Sequence, residues 1–358
     1  MKTEHRFNYE WTLKDANFTK DKGTVFSCFA CGGGSTMGYK LAGFDVLGCN
    51  EIDPKMIEAY KANHNPKYAY LEPIQTFKLR KDLPKELYNL DILDGSPPCS
   101  SFSMAGNREK DWGKEKKFRE GQAEQVLDNL FFDFIDLAKE LQPKVVVAEN
   151  VSGLMMGAAK EYVKKIYVAF QKAGYELKIE PYLLDASKMG VPQRRRRVFF
   201  IALRNDLAPQ FMESVDMFQT APKLDLDFNE DSIKFKDIYY NLHDRDLAPR
   251  ARELWNNRIE SDGGLDGSCF RDNGKKHFFG YCFITNEKTP NTIIANDMAV
   301  LYNEPRHLNK IELCRAGSYP LDYNFLNNKP HYLIGMSVPP IMTAQISTEI
   351  FNQWLSKL

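Results

Sequence analysis

Residues 24–54 read TVFSCFACGGGSTMGYKLAGFDVLGCNEIDP. The apolar run at 24–30 predicts a β-strand, and the glycine-rich turn at 31–38 opens a helix. A second apolar strand is predicted at 44–50. The Asp53-Pro54 pair, an N-cap followed by a preferred first helical residue, predicts another helix. This strand–helix–strand–helix order is typical of a doubly wound, mostly parallel α/β sheet.

The glycine-rich turn is suited to a ligand. Glycines let the backbone approach a ligand closely, and a helix N-terminus favours polar or anionic groups. Glu51 ends the second strand about 20 residues further on, where an acid can accept from ribose hydroxyls. Because Met37 stands three residues after Gly34, the dinucleotide pattern G-x-G-x-x-G is incomplete. An adenosine-bearing cofactor without a pyrophosphate therefore fits better than a nicotinamide dinucleotide, although a turn that only packs helix on strand stays open.

A second loop of interest is GSPPCSSFS at 95–103, which follows a short apolar strand at 90–94. Proline lacks a backbone donor and restricts the residue before it, so Pro97 and Pro98 end regular structure. Cys99 is thereby presented at the carboxyl end of a strand, where open α/β sheets bind their ligands. The alternative is a proline-rich turn with an incidental cysteine.

Two more charged groups border predicted strands. The β-branched stretch 144–151 predicts a fully buried strand whose terminal part carries a carboxylate, Glu149, again at the carboxyl edge. Four consecutive arginines, 194–197, lead into the apolar strand that follows. Since side chains alternate along a strand, Arg195 and Arg197 are expected to share one face, and the other two arginines the opposite face.

Composition limits the class of protein. With 358 residues, of which 43% are hydrophobic, the chain can bury one large or two ordinary cores. No apolar run approaches the roughly 20 residues of a membrane span, and no signal peptide is evident. Seven unevenly spaced cysteines favour a reducing, cytoplasmic location, and the lone CxxC predicts no metal site. Because 48 basic residues balance 48 acidic ones, binding of nucleic acid would need local segregation of charge.

The composition and the periodicity of the sequence change at about residue 205. Before it, an amphipathic helix is predicted at 122–142, preceded by a charged segment, 106–122, that is either a solvated loop or a mobile lid. After it, short aromatic and glycine-rich pieces predict a smaller, irregular domain, and a final helix is predicted at 341–355. We therefore divide the chain into a larger domain, 1–204, a smaller domain, 205–327, and a C-terminal segment, 328–358, that returns to the larger domain.

In their order along the chain, these motifs resemble those of the bacterial and phage cytosine-5 DNA methyltransferase family. The matching positions are Phe29-Ala30-x-Gly32-Gly33-Gly34-x-x-x-Gly38, Glu51, Pro97-Pro98-Cys99, Leu130, Glu149-Asn150-Val151, Gln193-x-Arg195-x-Arg197, Arg306-x-Leu308 with Glu312, Arg315 and Tyr319-Pro320, and Gly335-x-Ser337-Val338-Pro339-Pro340. Met336 departs from the asparagine usual in the family, and Asn309-Lys310-Ile311 replaces a usual Thr-Pro-Arg. The resemblance implies a Rossmann-like doubly wound methyltransferase sheet with a smaller, irregular target-recognition domain.

The resemblance also implies the site residues. The catalytic residues would be Cys99, Glu149, Arg195 and Arg197. S-adenosyl-L-methionine would be bound by Phe29, Ala30, Gly32, Gly33, Gly34, Glu51, Ile52, Ile74, Pro98, Leu130, Met336 and Ser337. Double-stranded DNA would be contacted by Ser100, Ser103, Arg108 and Gln193, and no metal is expected.

The chemistry implied is covalent catalysis. Cys99 would add to C6 of a cytosine flipped out of the duplex, which makes C5 nucleophilic enough to accept a methyl group. Glu149 would hold a proton for ring N3, and Arg195 would bind O2 of the base and restrain Glu149. The small domain would read flanking bases in the major groove.

Two alternatives share these motifs: a transfer-RNA cytosine methyltransferase, and an inactive relative that only binds DNA. The long stretch between the arginine motif and the Arg306 motif argues against the first, and the intact catalytic set argues against the second. We expect a monomer, and a cognate restriction endonuclease is a conceivable partner.

Overall fold

The structure, a computed structural model, describes residues 5–98, 115–116, 125–126, 129–157, 159–214, 220–275, 277–278 and 280–358. The chain forms two compact units that interleave in sequence. The sheet unit comprises Asn17–Leu184, Arg196–Asp227 and Thr343–Leu358, and the second unit comprises Met1–Ala16, Asp185–Arg195 and Phe228–Met342. These borders differ from our division at 204 and 327, because the chain leaves the sheet unit once before its last long strand.

Within the described residues, the sheet unit contains an eight-stranded sheet. The strands up to residue 204 are β1 (Thr24–Cys28), β2 (Asp45–Glu51), β3 (Tyr68–Leu71), β4 (Ile92–Gly95), β5 (Glu115–Lys116), β6 (Gln125–Val126), β7 (Val145–Val151), β8 (Tyr175–Leu177), β9 (Tyr182–Asp185) and β10 (Arg196–Arg204). The sheet order is β3-β2-β1-β4-β7-β10-β8, with β9 beside β10, whereas β5 pairs with β6 alone.

The directions of the strands determine which strand ends meet at one edge of the sheet. β1, β2, β3, β4 and β7 pair in parallel, and β10 runs antiparallel to both β7 and β8. Cys28 lies opposite both Asn50 and Gly95, and Gly95 lies opposite Ala148. The carboxyl ends of β1, β2, β4 and β7 therefore meet at one edge, as the sequence predicted.

Helices follow the strands in alternation and then fill the second unit. They are α1 (Gly34–Leu41), α2 (Pro54–His64), α3 (Ile74–Phe77), α4 (Leu130–Leu141), α5 (Ala159–Ala173), α6 (Phe235–Ile238), α7 (Pro249–Asn256), α8 (Leu265–Asn273), α9 (Lys310–Ala316), α10 (Pro330–Met336) and α11 (Pro340–Gln353). The predicted cap of α2 is confirmed, because Asp53 Oδ1 accepts from the amides of Lys55 and Met56. None of the described helices is long and apolar enough to cross a membrane.

Three predicted boundaries were wrong. The helix predicted at 122–142 begins only at Leu130, and residues 125–126 are extended. From the sequence alone, residues 175–184 would form one strand; the structure divides this stretch into β8 and β9, because Pro181 between them cannot donate to a ladder. β10 begins only at Arg196, although the burial of the four arginines alternates as expected: Arg195 is buried and Arg197 partly buried, whereas the other two are exposed.

The sheet unit has an aromatic core over one face of the sheet. It includes Phe26 of β1, Phe134 of α4 and Phe200 of β10, all at most 1% exposed. The apolar positions predicted from the period of α4 are buried as expected: Leu130, Phe131, Phe134, Ile135, Ala138 and Leu141. Burial of such side chains contributes roughly 1.5–3 kcal/mol each.

The second unit is organised around a buried ion pair. Beside its helices it holds one short parallel pair, β13 (Cys282–Ile284) and β14 (Ala299–Leu301), whereas β11 (Met212–Ser214) and β12 (Thr220–Pro222) belong to the sheet unit. Arg306 and Glu312, 1% and 0% exposed, form two parallel hydrogen bonds of 2.8 and 2.9 Å. Glu312 also accepts from the amide of Asn309, the cap of α9.

We predict that Arg306→Met destabilises the protein by about 3–5 kcal/mol, because it leaves the Glu312 carboxylate buried without its cation. Urea unfolding followed by circular dichroism measures the loss. The control is Lys61→Met, which removes the exposed pair with Glu58 and should cost less than about 1 kcal/mol. Equal losses of unfolding free energy in Arg306→Met and Lys61→Met would contradict this account of the second unit.

Candidate cofactor and catalytic site

The turn after β1 adopts a strained backbone. Phe29 and Cys31 have positive φ values of 53° and 49°, and Gly33 has a φ of 86°. A Cβ atom on Gly33 would lie 2.2 Å from Nε2 of His64, so this position requires glycine. The predicted ligand-binding turn is thus folded tightly against α2.

Glu51 organises this turn from the end of β2. Its carboxylate accepts hydrogen bonds from the amides of Cys31 at 2.7 Å, Ile52 at 2.8 Å and Asp53 at 2.9 Å. Burial raises the pKa of Glu51, and the three amide bonds oppose that shift. Since a carboxylate offers about four acceptor positions, these donors leave it able to accept from a hydroxyl group.

Sequence analysis missed His64, the last residue of α2. Its ring is buried, and Nε2 lies 3.2 Å from the carbonyl oxygen of Gly32, so the ring braces the glycine turn. Burial, with a smaller contribution from Lys40, lowers the pKa of His64 to about 3. No motif could have indicated this histidine, because the contact joins residues 32 positions apart.

We predict that His64 makes stability depend on pH. Folded His64 stays neutral, whereas the unfolded histidine binds a proton below its ordinary pKa of 6.5. As the pH falls from 6.5 toward 3, the free energy of unfolding should therefore decrease by about 1.4 kcal/mol per pH unit from this group.

The measurement compares wild type with His64→Gln by denaturant unfolding. The difference between the two proteins should be constant at pH values above 7 and should shrink steadily below pH 6. Parallel stability profiles through this range would refute the role given to His64.

Asp94 anchors the strand that leads to the Cys99 loop. This buried residue of β4 accepts from the hydroxyl groups of Ser27, Ser35 and Tyr39 at 2.7, 2.8 and 3.2 Å. Burial raises the pKa of Asp94 to about 6, and the three donors partly offset it. The network ties β4 to β1 and α1 directly below the carboxyl edge.

The loop after β4 is fastened to β7. Asn150 donates from Nδ2 to the carbonyl oxygen of Pro97 at 3.1 Å, and its Oδ1 accepts from the amide of Val151. The predicted Glu149-Asn150-Val151 motif therefore fixes the path of the proline loop. Pro98 is the last described residue of this loop; Cys99, Ser100, Ser103, Arg108 and most of the charged segment at 106–122 lie outside the described residues.

The structure pairs Glu149 with Arg197, where the sequence analysis gave this contact to Arg195. The distance from Arg197 Nε to Glu149 Oε1 is 2.8 Å, and the two side chains are 15% and 13% exposed. The register explains the pairing: Glu149 lies opposite Phe199, so Arg197 is its diagonal neighbour on the same face of the sheet.

Three further positions of the predicted cofactor set belong to the apolar core of the sheet unit or pack against it. Ile74 begins α3 and Leu130 begins α4, both fully buried in the core cluster on which Phe29 packs. The three positions therefore share one apolar core. Ala30 lies in the turn between β1 and α1, and Ile52 directly follows the last residue of β2.

The motif residues of the second unit form a separate network. Arg195, 2% exposed, donates to the carbonyl oxygens of Ile293, Gly335 and Ser337 at 2.9, 2.9 and 2.8 Å. Ser337 is buried beside it, whereas Met336 is 44% exposed. Arg195 thus fixes the backbone of the 335–337 segment.

Gln193, which we expected at the DNA, is also buried. Its Nε2 donates to the carbonyl oxygen of Ala316 at 2.8 Å, and its Oε1 accepts from the amide of Ile293 at 3.1 Å. Among the described residues, no group of three or more His, Cys, Asp or Glu side chains could hold a metal ion.

A glycine turn after the first strand, an acid at the end of the second and a paired carboxylate at one edge of a mostly parallel sheet define the class, a Rossmann-like α/β fold. Solved structures agree on the fold. A prophage-encoded DNA modification methyltransferase of E. coli superposes with a TM-score of 0.63 at 22% identity, covering 92% of this chain and 99% of that one. Spodoptera frugiperda DNMT2 superposes with a TM-score of 0.62 at 15% identity, covering 92% of this chain and 99% of that one.

The sequence comparisons give the family. Residues 23–352 match the C-5 cytosine-specific DNA methylase model, and the chain belongs to this family. The type II methyltransferase M.NgoPII of Neisseria gonorrhoeae is 31% identical over 62% of this chain and 57% of its own length. M1.HphI of Haemophilus parahaemolyticus is 27% identical over 92% of this chain and 87% of its own length. The chain thus spans little more than half of the first of these relatives, and the expected methyltransferase fold is confirmed.

Proposed function

We propose that the protein is a DNA (cytosine-5-)-methyltransferase that transfers a methyl group from S-adenosyl-L-methionine to C5 of a flipped cytosine in duplex DNA. The observation that carries the proposal is the Glu149–Arg197 pair, 2.8 Å apart, at the edge to which Asn150 fastens the proline loop. A carboxyl group and a cysteine loop on adjacent parallel strands are the two groups that this chemistry needs.

S-adenosyl-L-methionine would bind at the glycine turn of the sheet unit. Glu51 would accept from its ribose hydroxyls with the acceptor capacity that its three amide donors leave. Phe29, Ile74 and Leu130 would provide the apolar surface beside the adenosine. When bound, this cofactor supplies an electrophilic methyl group.

Cys99 would act as the nucleophile. Its thiolate would add to C6 of cytosine, because covalent addition turns a poorly nucleophilic C5 into an enamine carbon. Glu149 would hold a proton at ring N3 during this addition, a form of general acid catalysis worth roughly 10²–10⁴-fold.

The two arginines would have different roles. Arg197 would orient the Glu149 carboxyl and balance its charge, and Arg195 would hold the 335–337 segment in place. This assignment moves the restraint of Glu149 from Arg195, where the family resemblance placed it, to its diagonal neighbour on β10.

The second unit would read the DNA sequence. The stretch between Arg197 and Arg306 folds mostly into this unit, which supports duplex DNA over transfer RNA as the substrate. No disulfide joins the described cysteines, which supports a cytoplasmic location. The relatives named as type II methyltransferases favour a restriction-modification setting with a cognate endonuclease.

The experiment that tests the function uses a duplex with 5-fluorocytosine at the target. Fluorine at C5 blocks the final elimination, so the DNA should become covalently attached to the protein only when S-adenosyl-L-methionine is present. Cys99→Ser should abolish the adduct, because a hydroxyl group is far less ionised than a thiol at neutral pH. Denaturing gel electrophoresis detects the covalent adduct between protein and DNA.

Three outcomes would count against the proposal. An adduct that survives Cys99→Ser would mean another nucleophile, trapping of a fluorinated transfer RNA in place of DNA would favour the RNA alternative, and trapping of neither would favour an inactive relative.

We predict that Arg197→Gln lowers kcat by roughly 10- to 100-fold, the equivalent of a lost hydrogen bond to a charged group, without changing the affinity for S-adenosyl-L-methionine. Tritium transfer into DNA measures kcat. The matched control is Arg204→Gln on the same strand, since Arg204 pairs with Asp206 at the opposite end of β10. Equal activities of the two variants would overturn the role of Arg197.

A further inference from the structure

Arg258 follows α7 in the second unit, and its guanidinium lies over two aromatic rings. Its Cζ atom is 3.4 Å from the centroid of the Trp255 ring and 4.8 Å from the centroid of the Tyr302 ring. A cation over the face of an aromatic ring is attracted by the ring quadrupole, most strongly over tryptophan. The two rings therefore restrict the orientation of this guanidinium.

The two rings are themselves held in place. Both pack against the buried apolar cluster of the second unit that contains Leu254. Trp255 Nε1 donates to the carbonyl oxygen of Leu301 at 2.8 Å, and the amide of Tyr302 donates to the carbonyl oxygen of Ile284 at 2.9 Å. The guanidinium thus has a rigid support, which lowers the entropy lost when its donors bind a ligand.

Most of the donors of Arg258 are available to such a ligand. Among the described residues its side chain has one hydrogen-bond partner, the carbonyl oxygen of Trp255, to which Nη1 donates at 2.9 Å. Nε is buried without a partner, whereas Nη2 is not buried, so the outer edge of the guanidinium is open to solvent. Tyr302 also lines a cavity of about 500 Å³ within the second unit, which places this stack at an accessible surface.

The charge of Arg258 is not balanced by an acid. Burial lowers the pKa of its guanidinium, and no carboxylate of the described chain raises the pKa again, although arginine stays charged at neutral pH. Three arginines near it in sequence each pair with a carboxylate: Arg250 with Glu253 at 2.7 Å, Arg252 with Asp246 at 3.6 Å and Arg271 with Asp262 at 2.6 Å. Arg258 is therefore suited to an acceptor from outside the protein.

We propose that Arg258 recognises a guanine of the target sequence, donating two hydrogen bonds to O6 and N7 at the major-groove edge of the base. The inference rests on the proposed function, in which the second unit reads DNA, and it assigns one residue and one base to that reading. The planar guanidinium presents its donors in a fork that matches this pair of acceptors.

A DNA phosphate is the alternative acceptor. Contacts with phosphate position a protein on the duplex but carry no sequence information, and flexible side chains make them as well. The aromatic support fixes the direction of the Arg258 donors, which is what discrimination between base edges requires. The structure therefore favours the guanine, and the test below separates the two acceptors.

The test uses the full chain, S-adenosyl-L-methionine and a pool of duplexes with random bases around a central cytosine. Bisulfite sequencing of the products gives the base preference at each position. Wild type should require guanine at one position or more. Arg258→Gln should lower the preference for guanine at one such position roughly 10- to 100-fold and leave the others unchanged, because the amide of glutamine matches adenine instead.

Two further variants serve as controls. Arg252→Gln changes an exposed arginine of α7 and should leave every base preference unchanged. Arg258→Lys keeps the positive charge but loses the planar fork, and it should also lower the guanine preference. If Arg258 binds phosphate or only supports the fold, Arg258→Gln will slow methylation of all sequences alike, and that result would refute the proposal.

A measurement on the DNA side does not depend on how a variant folds. 7-Deazaguanine, which lacks the N7 acceptor, replaces guanine at the position identified in the pool. Wild type should methylate this duplex several-fold more slowly, whereas Arg258→Gln should treat the two duplexes alike, because the two changes remove the same contact. Wild-type rates that are equal with guanine and 7-deazaguanine at every required position would contradict the contact.

The outcomes also separate this inference from the proposed function. If wild type methylates no cytosine in the pool, the proposed function fails. If wild type methylates the pool without requiring guanine, or if Arg258→Gln keeps the wild-type preferences, only the role of Arg258 is refuted. An equal change of preference in Arg252→Gln would refute that role too.

Discussion

Parallel pairing of β1 with β2 and β4, and of β4 with β7, is the constraint on which the sheet unit depends. It brings the ends of four strands to one edge, with Cys28 opposite Gly95 and Gly95 opposite Ala148. The glycine turn and the proline loop follow two of those ends, and the carboxyl groups of Glu51 and Glu149 lie at or near the other two. Residues far apart in sequence thereby form one site without any long loop having to carry them there.

Placing acids at a buried edge costs free energy, and the surrounding donors offset it. Glu51 accepts three amides and Asp94 three hydroxyl groups, yet burial still raises the pKa of both. Glu149 is compensated differently, by the guanidinium of Arg197. The first two carboxyls hold loops and strands together through hydrogen bonds, whereas Glu149 is held by an ion pair at the edge of the sheet.

The second unit holds its 335–337 segment through contacts between residues far apart in sequence. Arg195 reaches the 335–337 backbone, Tyr319 reaches Ser337, and Trp11 holds the turn before Tyr319. Each contact joins groups that a linear motif treats as independent. This arrangement explains how residues before the first strand bear on a segment near the end of the chain.

Local sequence determined the elements: the period of α4, the Asp53 cap and the glycine turn are short-range patterns, and the order of motifs indicated the family. The sequence could not assign the partner of Glu149, because that depends on the register between β7 and β10, which makes Arg197 the diagonal neighbour. Nor could it reveal the contacts that His64 and Trp11 make. Tertiary structure decided these, since their contacts with Gly32 and Ser318 join positions that only the folded chain brings together.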